Sequence, residues 1–274
     1  MAKVISGNLQ SRLIKKAVPY RVIQPASYEY SKKPFPVLYL LHGLFGNCDN
    51  WIELTNIREH IERHEILVVA PDSGDSWYTD SATAENEKFE SYLTAELIPE
   101  IESSFRVKTT REGRAAAGIS MGGYGAFKFA LRRPELFVFV GSSSGAFHAA
   151  RMNAEDCAEK WPEYEASITR AFGERGSETR ERNDAYKLVS EVNSGSAAKL
   201  PFFYFDCGDQ DGFLNANREF AGLLKDKNIA HDYRELPGGH EWPYWNERVK
   251  EILETADKIF AGQAYSQRPI TLPK

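Results

Sequence analysis

"AAAGISMGGYGAF" (residues 115–127) joins a run of small apolar residues to a glycine-rich segment with one serine at its centre. Gly118-Ile119-Ser120-Met121-Gly122 fits G-x-S-x-G, the spacing of a nucleophile elbow, which presents a serine on a tight strand-to-helix turn. Glycine two positions to either side removes the Cβ atoms that would collide there. The pentapeptide alone is a weak signal: at an average glycine usage of about 7%, a chain this long matches it by chance roughly one time in ten. The flanks decide. Arg114–Ile119 is small and apolar, suited to a buried parallel strand. Downstream, Ala126, Phe127, Ala130 and Leu131 mark the apolar side of a helix, and Pro134 marks its stop. Strand, elbow and helix are the context the motif requires.

Outward from the elbow, the same alternation repeats. "PVLYLLHG" (36–43) and "EILVVAPD" (65–72) are continuous apolar strands ending in turns, and residues 51–63 between them read as helical. Phe89, Leu93, Leu97 and Ile101 follow at four-residue spacing, a helix that Pro99 should kink. "LFVFVGSSSG" (136–145), "LPFFYFDCG" (200–208) and residues 231–236 give further strands. Trp242, Trp245, Val249, Ile252, Leu253 and Phe260 form the apolar side of a C-terminal helix. Residues 4–23 read as two β-prone strands broken at Ser6-Gly7-Asn8. Strands alternating with helices imply an α/β fold: a mostly parallel sheet covered on both faces. Residues 146–199 interrupt that rhythm and read as a small helical, cap-like insertion within one domain spanning 1–274. The tail, 262–274, has no periodicity and reads as loosely held.

Composition excludes several function classes. Charged residues make up 27% of the chain and aromatics 12%, ordinary for a soluble globular protein. The formal net charge of −5 argues against a nucleic-acid partner, which needs a basic face to neutralise phosphates. No apolar run reaches membrane-spanning length, and the first residues lack the apolar core of a secretion signal, so the chain reads as cytoplasmic. Cys48, Cys157 and Cys207 are scattered and show neither metal spacing nor a disulfide framework. No metal or organic cofactor is expected.

A serine hydroxyl needs a base, usually histidine. In the fold that uses this elbow, the triad runs serine, acid, histidine along the chain. His42, His60 and His64 precede Ser120, and His148 follows the next strand too early to leave room for the acid. His231 opens a strand and reads as a surface or packing residue. His240, in the loop "LPGGHEW", lies past a strand end, where this architecture presents catalytic groups. "FFYFDCGDQDGFL" supplies Asp209 and Asp211 as candidate acids, and spacing does not choose between them. The segment lacks the alternating oxygens and distal glutamate of a calcium loop. An oxyanion hole needs two backbone N–H groups. Met121, after the serine, supplies one, and the loop "HGLFGN" (42–47) the other, though His42-Gly43 reads equally well as a strand-ending turn.

"PVLYLLHGLFGN", "SWYTD" (76–80), "ELIPEIESSF", "GISMGGYGAFKFALRRPELF", "DCGDQDGFL" and "GGHEW" occur in an order that resembles the esterase D-like group of α/β-hydrolases, from about residue 10 to 260. That group includes S-formylglutathione hydrolases, tributyrin and feruloyl esterases and, more distantly, mycolyl transferases. The resemblance implies an α/β-hydrolase fold and a serine carboxylesterase acting on small short-chain or aryl esters. It maps the triad acid onto Asp211, completing Ser120, Asp211 and His240, and the second oxyanion amide onto Leu44 beside Met121. "HGLFGNCDNW" departs from the corresponding stretch of S-formylglutathione hydrolases, while "SWYTD" looks more like the tributyrin and feruloyl branch. A thioesterase of the S-formylglutathione type, or an acyltransferase using the same triad, is the alternative. Trp77, Tyr78, Phe147, Trp161 and Trp242 read either as an aromatic pocket or, more often for such residues, as core.

Overall fold

Eight strands form one sheet: β1 (Lys3–Gln10), β2 (Ala17–Gln24), β3 (Val37–Leu41), β4 (Leu67–Pro71), β5 (Arg114–Ile119), β6 (Phe139–Ser143), β7 (Phe202–Gly208) and β8 (His231–Leu236). Their order is β1-β2-β4-β3-β5-β6-β7-β8. The β1–β2 and β2–β4 pairs are antiparallel, and the rest of the sheet is parallel. The computed structural model describes residues 1–152 and 162–263. Trp161, Cys157 and residues 264–274 of the tail lie outside the described residues.

The continuous apolar strands require cover on both sides, because alternate side chains point to opposite faces. Val37, Tyr39 and Leu41 of β3 join one core, while Leu38 and Leu40 join the other. Among the described residues four helices exceed ten residues: α1 (Met121–Arg132), α2 (Pro162–Phe172), α3 (Leu214–Asp226) and α4 (Trp242–Phe260). Helices α1, α2 and α3 lie over the first core, and α4 with the short helices between residues 50 and 63 over the second. Within 146–199 the described secondary structure is helical. The chain leaves β3 toward β4 on one side, and β5 pairs with β3 on the other. The C-terminal ends of β3 and β5 therefore flank a topological switch point, where α/β sheets open a crevice.

One local expectation is corrected. Ser6-Gly7-Asn8 does not break the first strand: β1 runs through it, and the hairpin turns at residues 11–16, closed by Ser11 N–H to the Lys16 carbonyl at 3.0 Å. Gly7 pairs with Tyr20, and a Cβ there would stand 2.2 Å from the Tyr20 ring, so this glycine makes room for an aromatic rather than a turn. Around Pro99, where a kink is expected, the helix is irregular. Leu93–Leu97 widens into a π-helical turn before the helix Ile98–Ser104, which accommodates a ring that would clash with the carbonyl four residues back.

Asp206, on β7 near the parallel strands' C-terminal edge, is fully buried. The hydroxyls of Ser143 and Tyr244 donate to its Oδ1 at 2.5 and 2.8 Å, and among the described residues its Oδ2 has no partner. Burial pushes its pKa up to about 6 despite those hydrogen bonds. Between about pH 4 and 6 the native carboxyl keeps a proton that an unfolded aspartate releases, so stability falls as pH rises through that window, by up to about 3 kcal/mol. Asp206→Asn keeps the acceptor and removes the titration. The Tm difference between variant and parent should favour the variant more at pH 8 than at pH 5; an equal difference at both would contradict a raised Asp206 pKa.

Candidate active site

β5 ends at Ile119 and α1 begins at Met121, so Ser120 alone turns the chain. It does so at φ 50° and ψ −116°, outside the regions open to ordinary residues and costing roughly 1–3 kcal/mol. Its amide donates to the Ser143 carbonyl at 3.0 Å, and its carbonyl accepts from Tyr124 and Ala146 at 3.0 and 3.1 Å. The neighbouring strand, the helix and the loop after β6 thus hold the strain in place. A Cβ on Gly122 would lie 2.5 Å from the Leu41 carbonyl oxygen and 2.6 Å from that of His42. Only glycine lets the helix start this close to the end of β3.

The three side chains read from the sequence meet. His240, in the loop between β8 and α4, places Nε2 3.0 Å from Ser120 Oγ and Nδ1 2.9 Å from Asp211 Oδ2. Asp211 Oδ1 also accepts from the Phe213 amide at 2.8 Å. An ionised carboxylate only accepts, so Nδ1 carries the hydrogen and Nε2 turns its lone pair toward the serine hydroxyl. Burial would raise the Asp211 pKa. The hydrogen bond and charge of His240, with the Phe213 amide and Ser144, outweigh it and hold the carboxyl below its ordinary value. The Asp211 side chain is fully buried, whereas that of His240 is 29% exposed. This asymmetry leaves the imidazole within reach of a ligand.

Other candidates fall elsewhere. Asp209 is exposed; its Oδ1 accepts from the Gly238 amide at 3.1 Å and steadies the loop that leads to His240. His231 is a packing residue, with Nδ1 donating to the Ile229 carbonyl at 2.8 Å. His64 pairs with Asp257 of α4 at 3.2 Å. Leu44 follows β3, and among the described residues its amide has no acceptor. Met121 is the first residue of α1, so its amide has no helical carbonyl to bond. Trp77, Tyr78 and Phe147 are core, and Trp242 packs edge-on against Trp51 at 5.5 Å. The exposed aromatic beside Leu44 is Phe45, 57% exposed, which the sequence reading did not single out.

Further supports also escaped that reading. Phe213 and Trp245 pack edge-to-face on the His240 ring at 4.8 and 4.9 Å. Trp245 Nε1 donates to Ser144 Oγ at 3.1 Å. His148 also packs edge-on against Phe213, at 4.8 Å, and burial with the charge of His240 pushes its pKa down to about 4. The signals available were the aromatic two residues past Asp211 and the serine run ending β6. Neither type at those spacings is distinctive. Among the described residues, no group of three or more His, Cys, Asp or Glu is arranged to hold a metal ion, and no helix is long and apolar enough to cross a membrane.

A strained serine at a strand–helix turn of a mostly parallel sheet defines an α/β-hydrolase-fold protein. Residues 11–256 match the family described as "Putative esterase", and the chain belongs to it. An acetyl esterase of Caldicellulosiruptor saccharolyticus is 29% identical over 265 residues, covering 93% of this chain and 98% of that protein. The solved structure of a ferulic acid esterase superposes with a TM-score of 0.81 at 29% identity, covering 95% of this chain and 99% of the other. That of an S-formylglutathione hydrolase from Staphylococcus aureus gives 0.77 at 25% identity, with 93% and 99% covered. The protein is a carboxylic ester hydrolase.

The hydrogen bonds distinguish the two aspartates. Asp211→Asn should lower ester turnover by roughly 10³–10⁴-fold, because an amide at this position favours the wrong imidazole tautomer. Asp209→Asn should keep turnover within about tenfold. Steady-state kinetics on both variants checks this, and a greater loss at Asp209 would overturn the assignment.

Proposed function

We propose that the protein is a serine carboxylesterase that hydrolyses short-chain or aryl esters through an acyl-serine intermediate. The observation that carries this reading is the continuous hydrogen-bonded chain from Ser120 through His240 to Asp211. Ser120 Oγ attacks the ester carbonyl while His240 Nε2 takes its proton. Asp211 holds the imidazole tautomer and stabilises the imidazolium. The Leu44 and Met121 amides receive the oxyanion. The proton then passes to the leaving alcohol, and water, activated by His240, releases the acid and restores Ser120.

Ser120→Ala should lose turnover by several orders of magnitude, with only about 10³–10⁴-fold acceleration over water remaining, and should lose labelling by fluorophosphonates. Near-normal activity in that variant would refute the reading. The pH dependence follows from the neighbours of the base. Asp211 is held below the ordinary carboxylate range and His148 is neutral above about pH 4. Neither should therefore add a step to the pH profile of kcat/KM above about pH 5, and a step there that His148→Phe removes would contradict the lowered His148 pKa.

The insertion that follows β6 is read as restricting the acyl side of the site. A buried methylene contributes only about 0.8 kcal/mol, and a closed pocket replaces that gain with a steric penalty. Acetate and butyrate p-nitrophenyl esters should be hydrolysed faster than palmitate, and preference for palmitate would refute the restricted pocket. The likeness to an S-formylglutathione hydrolase favours a second reading, a thioesterase. A dominant rate with S-formylglutathione over all oxygen esters would select it.

A further inference from the structure

We propose that His42 and Tyr78 are positioning residues that lock the Gly43–Leu44 peptide so that the Leu44 N–H faces a carbonyl oxygen bound at Ser120, an inference that rests on the reading of Ser120 above. A Cβ built on Gly43 would stand 3.6 Å from Ser120 Cβ, so this peptide borders the serine. In a trans peptide the carbonyl of Gly43 and the N–H of Leu44 point in opposite directions, and fixing one fixes the other. The Gly43 carbonyl accepts two hydrogen bonds, from His42 Nδ1 at 2.7 Å and from the Gly46 amide at 3.1 Å. Both fix its direction, and among the described residues the Leu44 N–H has no acceptor.

The tautomer of His42 is determined. Its Nε2 lies 3.0 Å from the Ser73 amide, which only donates, so Nε2 accepts and Nδ1 bears the hydrogen. Burial pushes the His42 pKa below the ordinary imidazole value, against the opposing effects of the Gly43 carbonyl, Asp72 and Asp75, which favours this neutral form. The peptide on the other side of Gly43 is held as well: the Tyr78 hydroxyl donates to the His42 carbonyl at 3.1 Å.

Tyr78 is in turn fastened to α1, whose first amide is that of Met121. Its ring occupies the space of a side chain at Gly125, where a Cβ would lie 2.7 Å from it. Its carbonyl accepts from the buried ammonium of Lys128 at 2.6 Å, and Lys128 also donates to Thr79 Oγ1 at 2.9 Å and pairs with Glu90 at 3.0 Å. Trp77 and Tyr78 are both left-handed, at φ 54° and 50°, a strain that persists only where surroundings over-determine it. The two proposed oxyanion donors are thus registered to one helix, Met121 directly and Leu44 through His42, Tyr78 and Lys128.

The test compares wild type, His42→Ala, His42→Asn and Tyr78→Phe by p-nitrophenyl acetate kinetics, fluorophosphonate labelling rate and Tm. Asparagine carries its amide nitrogen near the place of Nδ1 and keeps the bond to the Gly43 carbonyl. His42→Ala should lower kcat by roughly 10²–10³-fold with KM within about threefold, as for loss of an oxyanion donor, and slow labelling in proportion. His42→Asn should stay within about tenfold of wild type, and Tyr78→Phe should lose about tenfold in kcat with little change in Tm. If His42→Ala fails to fold, Tyr78→Phe, which removes one oxygen, carries the test. With wild type labelled at Ser120, an unchanged kcat in Tyr78→Phe or in His42→Ala overturns the proposal, as does a His42→Asn as poor as His42→Ala. A wild type that is not labelled refutes instead the reading of Ser120 on which the proposal rests.

Discussion

The structure depends on one residue making a complete change of direction. Ser120 leaves β5 and starts α1 with nothing on either side to share the turn. A backbone this strained holds only if its surroundings fix it, and three hydrogen bonds to its own peptide groups do so. The same constraint dictates Gly122, because the helix must begin against the carbonyls that end β3. It also brings the first amide of the helix and the loop after β3 to one place, at the switch point of the sheet. The position of the serine hydroxyl and of the amides around it is therefore a consequence of one turn.

Around that turn, rigidity and access are divided. Asp211 is buried and held ionised, and Phe213 and Trp245 both pack edge-on with the His240 ring. The imidazole remains partly open. Trp245 links this packing to the loop after β6 through Ser144, which adjoins the strand end bonded to Ser120. Side chains held by packing and hydrogen bonds lose little entropy when a ligand arrives, which is the physical basis of preorganisation.

The parallel part of the fold was legible because buried strands write themselves as unbroken apolar runs. Arg114–Ile119 and His231–Leu236 have the boundaries that the residues alone suggest. That Ser120, His240 and Asp211 meet was legible because chain order filters histidines strongly, and the resemblance chose Asp211 over Asp209. What escaped had no local signature. Gly7 resembles a turn residue, yet its partner is a tyrosine thirteen positions away across a hairpin. Lys128 reads as a polar residue on a helix surface, and only the packing of residues 78–90 makes it a buried ammonium. Phe213, Ser144 and Trp245 support His240 from three separate elements, a relation that spacing along the chain does not carry.

The most direct measurement is rapid-quench mass spectrometry during turnover of p-nitrophenyl butyrate, with peptide mapping of the quenched protein. A butyryl group on the peptide containing Ser120, formed within the burst of p-nitrophenol and lost as butyrate appears, is the expected result. Release of p-nitrophenol and butyrate together, with no acyl group on Ser120 at any time, would contradict the account.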